Sequence, residues 1–326
     1  MNAQPVKKKR IGERLLELLL STNGLPGWVC VGHREPQAEL RVTIETEAGS
    51  VDITGNHAIV ALKPLAIAVG AKTSDAGVLN GIHAQLVIRE RREGEKVLGD
   101  VKLRLSRSLP VNGARICLFH TSGGRNFCAP ALRRETTYLH ERWKMWRTKD
   151  PRNLQMIPSE LFSMWILHHV PRPVFLVSYG NLAQCNMFPM DLLGPLSIGA
   201  YVLGMHATSP AIPIWRSSGQ IAISAVPLVH KPLIYSMGNN HRQALLDPSS
   251  LPVPYGASKS FQIPVPADAL SVRELTVERS LDLGSHVLFV ARTHSLEARA
   301  EAPQMCHIHR FYQQFLIRQN RPLPSL

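Results

Sequence analysis

The sequence predicts a mainly β protein with short helices, in the α+β class. Three observations lead there. Runs of β-branched and apolar residues alternate with polar ones along most of the chain. Gly, Pro, Asn and Ser clusters punctuate those runs at short intervals. Only a few segments carry a helix-compatible pattern. At 326 residues, the chain is long enough for two cores, since one core serves about 100–200 residues.

In chain order, "KKKRIGERLLELLLST" places basic residues before leucines, as a signal peptide does. Glu13, Arg14 and Glu17 interrupt the apolar run and no small-residue cleavage site follows, so leucines 15, 16, 18, 19 and 20 fit a short amphipathic helix. Lys7–Arg10 reads as a solvated basic lead-in, with a nuclear-localisation or nucleic-acid patch as the other readings. "GWVCVGHR" (27–34) and "AELRVTIETEAGSVDIT" (38–54) read as strands with a Gly-Ser turn. "HAIVALKPLAIAVGA" (57–71) reads as buried strand broken at Pro64, 81–110 as a hairpin with a charged tip, and "ARICLFH" (114–120) as a further strand. A charged, helix-compatible segment then carries Trp143 and Trp146, and Asp150-Pro151 breaks it. A second short helix is expected at 158–169. Strands follow at 173–179, 196–203, 220–226, 260–264, 270–280 and 286–293, interrupted by a helix at 210–218. The expected division is a β-rich domain over 1–130, a helical connector over 131–167 and a second β domain over 168–326.

Composition excludes several classes. No window approaches the roughly 18 uninterrupted apolar residues of a membrane-spanning helix, and the expected location is the cytoplasm. Five cysteines, odd in number and without a CxxC, argue against a disulfide framework or cysteine zinc site. The net charge of +13 favours anionic partners. Its basic residues are interleaved with acids, and the aromatics do not alternate with Lys or Arg, so nucleic acid is not the expected partner and a phosphate-bearing cofactor suffices. His168-His169 and "HIHR" (307–310) read as structural or surface histidines rather than metal ligands. His286, on an apolar strand, reads as a satisfied strand histidine.

The stretch "PRPVFLVSYGN" (171–181) is the most informative. Pro171 and Pro173 cannot donate to a ladder, so they belong where a chain passes from helix into sheet. "VFLVS" then fills a sheet, and "YGNLAQ" turns. Next come Asn186-Met187-Phe188-Pro189-Met190-Asp191, a hydrophobic strand, His206-Ala207-Thr208-Ser209, a helix through Trp215, Ser218-Gly219, and later "LGSHVLFVARTHS" (283–295). In this order, over roughly 168–318, the chain resembles the flavin reductase-like family, the FMN-binding split barrels. That family has a Pro-Arg-Pro strand start, an Asn-x-x-Pro-x-Ser motif and a basic, hydroxyl-bearing segment opening a helix.

The resemblance implies an FMN-binding split β-barrel in the C-terminal half and hydride transfer from NAD(P)H to flavin, with the cofactor performing the chemistry. It places Ser178 and Asn186 at the isoalloxazine and His206, Thr208 and Ser209 at the phosphate, where a loop-to-helix start attracts anions. No side chain is assigned as catalytic. His206 stands where the family carries Arg or Lys, and Asp191 where it carries serine. Other roles fit the same residues: Asn186 satisfies a turn equally well, Thr208 and Ser209 also suit a helix cap, and Asp191 reads as a loop acid. In that family the site forms between two subunits, which implies a homodimer or an intramolecular pseudo-dimer. "LKPLAIAVGAKTSD" (62–75) faintly echoes 195–209, so residues 1–130 read either as a degenerate second barrel copy or as an accessory β domain. The alternative functions are a non-catalytic ligand-binding scaffold, and a nucleic-acid-associated protein using the basic N-terminal half.

Overall fold

Two antiparallel seven-stranded sheets form the body of the protein, in a computed structural model that describes residues 27–35, 38–80, 83–92, 95–111, 113–148 and 156–325. The leucine-rich helix expected within 15–20, Lys7–Arg10 and Asp150-Pro151 lie outside these residues. The chain begins with β1 (Trp28–His33), β2 (Leu40–Thr46), β3 (Gly49–Asp52), β4 (His57–Leu62) and β5 (Leu65–Ala71). A one-turn helix α1 (Ala76–Leu79) precedes β6 (Ala84–Glu90), β7 (Val97–Val111) and β8 (Ala114–Asn126). Helices α2 (Ala131–Thr148) and α3 (Pro158–Leu167) lead to β9 (Arg172–Pro173), β10 (Phe175–Gly180), β11 (Cys185–Met190), β12 (Leu193–Pro195) and β13 (Ala200–His206). Then come α4 (Ala211–Ser218), β14 (Gln220–Ala225), α5 (Lys231–Ser236), β15 (Tyr255–Ala257), β16 (Pro264–Pro266), β17 (Ser271–Asp282), β18 (His286–Ala298), β19 (Gln304–His309) and α6 (Arg310–Arg318).

The first sheet has the order β3-β2-β6-β7-β8-β5-β4 and the second β11-β10-β14-β17-β18-β13-β12. Strand for strand, the two orders are the same, with β15 and β16 inserted in the second half. Each sheet wraps its own core. Ile44, Leu86, Leu103 and Phe119 belong to the first; Val177, Tyr201, Leu203, Trp215 and Phe289 belong to the second.

The alternation in β5 and β13 explains how the halves meet. In Leu-Ala-Ile-Ala-Val-Gly-Ala, Leu65, Ile67 and Val69 point into the first core. Ala66 and Ala68 point the other way, into a cluster shared with Ala200, Val202, Leu288 and Val290 of the second sheet. In Ala-Tyr-Val-Leu-Gly-Met-His, Tyr201, Leu203 and Met205 face the second core. Small residues on the outward face let the two backbones approach. A Cβ on Gly204 would lie 2.1 Å from the Val60 carbonyl oxygen, so only glycine permits this spacing.

The expected division of the chain is crossed at both ends. β1, near the N-terminus, pairs with β19 and so joins the three-stranded sheet β1-β19-β9 with the second half. Conversely, Phe311, Tyr312, Phe315 and Leu316 on α6 pack into the first core beside Trp165 and Ile166 of α3. These helical side chains fill the end of the first sheet nearest Gly99, where a Cβ would collide with Ile166 and lie beside His169.

Candidate functional site

At the corresponding end of the second sheet a cavity of about 490 Å³ remains open. Phe175 of β10, Leu193, Gly194 and Pro195 of β12, Tyr201 of β13, Ile223 of β14 and Arg273 of β17 form its sheet side. The Pro171-Arg172-Pro173 stretch and Gln304 close another side, and Glu35, Ala38 and His57 of the first half contribute to it.

Local sequence explains why Arg172 stands here. The two prolines confine β9 to two residues paired with Cys306 and His307 of β19, and they hold the intervening arginine in extended backbone. Its side chain is buried at 7% exposure, with one guanidinium nitrogen donating to the Asp191 carbonyl at 3.0 Å. Its Nε has no partner among the described residues, and the buried Nε2 of Gln304 is likewise unpaired. Both side chains line the cavity. Native interiors rarely leave buried donors unmatched, so two such donors on residues that line one cavity make it the candidate place for acceptor atoms of a ligand.

Charge supports this. Burial lowers Arg172 to about 10, partly offset by Asp191, which leaves it cationic at neutral pH. Arg273 donates to Thr293 Oγ1 at 2.9 Å, and its guanidinium stands 5.6 Å from the Tyr201 ring centroid. Burial lowers His57 to about 4, opposed by its hydrogen bond to Ile53 and reinforced by the Arg172 charge. That bond runs from Nδ1–H to the Ile53 carbonyl at 2.9 Å, leaving Nε2 of the neutral ring as an acceptor. The cavity therefore presents two guanidinium cations, the Gln304 amide and a neutral imidazole, with one carboxylate, Glu35, also on its lining.

The residues expected at a ligand from sequence lie elsewhere. Ser178 and Asn186 occupy neighbouring strands, but the register pairs Ser178 with Met187 and Asn186 with Tyr179. Their side chains therefore face opposite sides of the sheet. Ser178 is fully buried. Asn186 donates to the carbonyls of Asn240 and Gln243 at 2.9 and 2.8 Å and accepts from Met187 N, so it clamps the 240–244 segment against β11. His206 Nδ1 accepts from the Thr208 hydroxyl at 2.9 Å. Ser209 Oγ donates to the His241 carbonyl and accepts from Ala211 N, one residue ahead of the N-cap position, which Pro210 fills. His206, Thr208 and Ser209 do form one loop, but five residues along β13 from Tyr201, about 17 Å at strand rise.

Asp191 also has a definite partner. Its carboxylate accepts from His307 Nδ1 at 2.8 Å. Burial acts to raise its pKa, but the His307 hydrogen bond and the nearby Arg172 and His168 outweigh that and hold it well below the usual carboxylate range. His286 is buried, with Nδ1 2.8 Å from Ser285 Oγ. No cluster of three metal-ligating His, Cys, Asp or Glu side chains forms among the described residues, and no helix among them is long and apolar enough to cross a membrane. Arg172 stood in the most informative stretch of the sequence, and an arginine locked between prolines was the signal for its role. Gln304, Arg273 and His57 carry no such local signal.

A scan against protein-family models finds no match, and a search of curated proteins finds none. Among solved structures, the chain is similar to an FMN-binding protein from Thermus thermophilus with bound p-hydroxybenzaldehyde, at 18% identity and TM-score 0.36, over 40% of this chain and 74% of that one. It is similar to an NADH:FAD oxidoreductase from Streptomyces globisporus, at 12% identity and TM-score 0.42, over 50% of this chain and 95% of that one. It is also similar to the styrene monooxygenase flavin reductase from Pseudomonas putida, at 12% identity and TM-score 0.37, over 45% and 93%.

Proposed function

We propose that the protein binds FMN at the open end of the second sheet and works as a flavin reductase-like oxidoreductase, with a reduced nicotinamide as electron donor. One observation carries this: Arg172 and Gln304 line the same cavity, each with a buried donor, Nε and Nε2, that has no partner among the described residues, beside a second guanidinium. Such a donor set suits a ligand that offers carbonyl or ring-nitrogen acceptors together with negative charge, and FMN offers both. The bound flavin would supply the hydride chemistry. The chain's own part is to bind and orient. Arg172 and Gln304 donate to acceptor atoms, Arg273 contributes charge, and Phe175, Leu193 and Tyr201 provide an apolar wall that excludes water.

The repeated strand order supports an internal pseudo-dimer, in which the first half supplies Ala38 and His57 to a site built mainly by the second. A second reading, a ligand-binding scaffold without catalysis, is favoured by the donors of Asn186, Thr208 and Ser209 being spent within the protein.

Titration of FMN fluorescence against the purified protein tests both. Saturable quenching at micromolar protein is expected, weakened about tenfold or more by Arg172→Gln, since a hydrogen bond to a charged group contributes about 1.5–3 kcal/mol. Absence of quenching with folded protein overturns the flavin reading. Quenching without NADH or NADPH oxidation favours the scaffold.

A further inference from the structure

Outside that cavity, three side chains form a continuous hydrogen-bonded chain that the flavin reading does not use. Tyr235 on α5 places its hydroxyl 2.6 Å from His307 Nε2 on β19, and His307 Nδ1 lies 2.8 Å from Asp191 Oδ2 in the β11–β12 connection. The carboxylate can only accept, so Nδ1 carries the proton and Nε2 presents its lone pair to the phenol. Tyr235 is 45% exposed, while the His307 and Asp191 side chains behind it are 19% and 26% exposed. A phenol reachable from solvent is thus backed by a base, and the base by an acid, both less exposed than the phenol. The other titratable groups around it are Arg172 and His168 beside Asp191, Cys30, whose thiol is hydrogen-bonded to Tyr235, and Lys231 near that thiol.

We propose that Tyr235 is a nucleophile for activated acyl compounds, with His307 as its base and Asp191 as the positioning residue. The logic is that of a serine nucleophile held by histidine and carboxylate. Burial raises the Tyr235 pKa, and the neighbouring Cys30 adds to this, so the phenol is protonated at neutral pH. Its attack depends on losing the proton as the new bond forms. Tyr235 Oη forms a bond to the acyl carbon while its proton passes to His307 Nε2, and the resulting imidazolium pairs with Asp191. The bond from the acyl carbon to its leaving group breaks, and the leaving group takes that proton back from His307. Nothing is oxidised or reduced, and the product is an aryl ester on Tyr235. Where the flavin reading concerns the barrel cavity, this site stands or falls on its own.

The test is limited acetylation of the full chain with N-acetylimidazole at neutral pH, followed by peptide mapping. Tyr255, at 38% exposure on β15, is the internal reference in the same sample. Tyr235 is expected to react about tenfold faster or more, in line with the usual gain from a positioned base. His307→Gln and Asp191→Asn should each bring the two rates to within about twofold, without changing the rate at Tyr255. Equal rates at Tyr235 and Tyr255 in the wild type overturn the proposal, as does an advantage that survives in His307→Gln. Where Asp191→Asn alters the Tyr255 rate, His307→Gln, which keeps a side-chain amide in place of the imidazole, decides.

Discussion

Replacing Gly204 with alanine should separate the two sheets. The added Cβ would lie 2.1 Å from the Val60 carbonyl oxygen, 2.7 Å from its carbon and 2.9 Å from its Cα. All three are backbone atoms of β4, so no side-chain rotation relieves the clash, and β13 must move by about 1 Å to restore ordinary contact. Overpacking of this kind costs about 1–3 kcal/mol and more where backbone must shift, so about 3 kcal/mol or more is expected. At about 2.1 cal/mol/K of unfolding entropy per residue, a chain of this length loses roughly 1.5 °C per kcal/mol. The Tm in differential scanning calorimetry should therefore fall by about 5 °C. Gly238→Ala is the control, because nothing lies within 4 Å of its Cβ position and its φ is ordinary; its Tm should stay within about 1 °C. Since His57 and Tyr201 stand on the two elements pushed apart, FMN affinity should fall with Tm. A Gly204→Ala protein as stable as wild type would refute this description of the contact between halves.

Three further outcomes follow, two from buried polar groups and one from a glycine turn. Burial lowers His57 and His286 to about 4 and His168 and His169 to about 3. The unfolded chain binds protons at these sites below about pH 6.5 while the folded one does not, so stability rises with pH across this window. Urea midpoints should fall steadily from pH 6.5 to pH 4, and a flat profile would contradict the burial of these rings. Glu274 is opposed by burial, yet hydrogen bonds from Ser295, Phe261 N, Ser258 and Ser260 N bring it to about 2; its share of stability is present above about 4.5 and lost as pH falls towards 2. Glu274→Ala would strand the amides that fix the 258–261 loop and should cost about 3 kcal/mol in urea unfolding, whereas a cost under about 1 kcal/mol would mean the loop holds without it. Gly180 turns the β10–β11 hairpin at φ +96, and a Cβ there would meet the Gln184 carbonyl oxygen at 2.3 Å. Gly180→Ala should lower the Tm, and an unchanged Tm would mean the hairpin tip adjusts freely.

Strands were the most legible feature of the sequence, because alternation is a local property. β4, β5, β14, β17 and β18 fall close to where the apolar periodicity puts them. The segment 196–199, expected as strand, forms the turn before β13 instead, with Gly199 at φ +76. β19 and α6 went unread because their partners are remote: β19 pairs with β1 across most of the chain. Ser178 and Asn186 show what strand register adds to a sequence. The turn between β10 and β11 sets a register in which Ser178 opposes Met187, so the two side chains diverge; the turn length was the available signal. Asp191 and His307 lie 116 residues apart, and no local pattern joins them. The likeness between the halves was audible only as an echo, since what repeats is strand order, which pairing creates and composition does not encode.

The most direct test is a crystal structure of the protein with FMN at saturating concentration. The account predicts density for the flavin in the cavity bounded by Phe175, Tyr201 and Arg273, with its acceptor atoms facing Arg172 Nε and Gln304 Nε2. Flavin bound at the 206–209 loop instead, or crystals without flavin density, would contradict it.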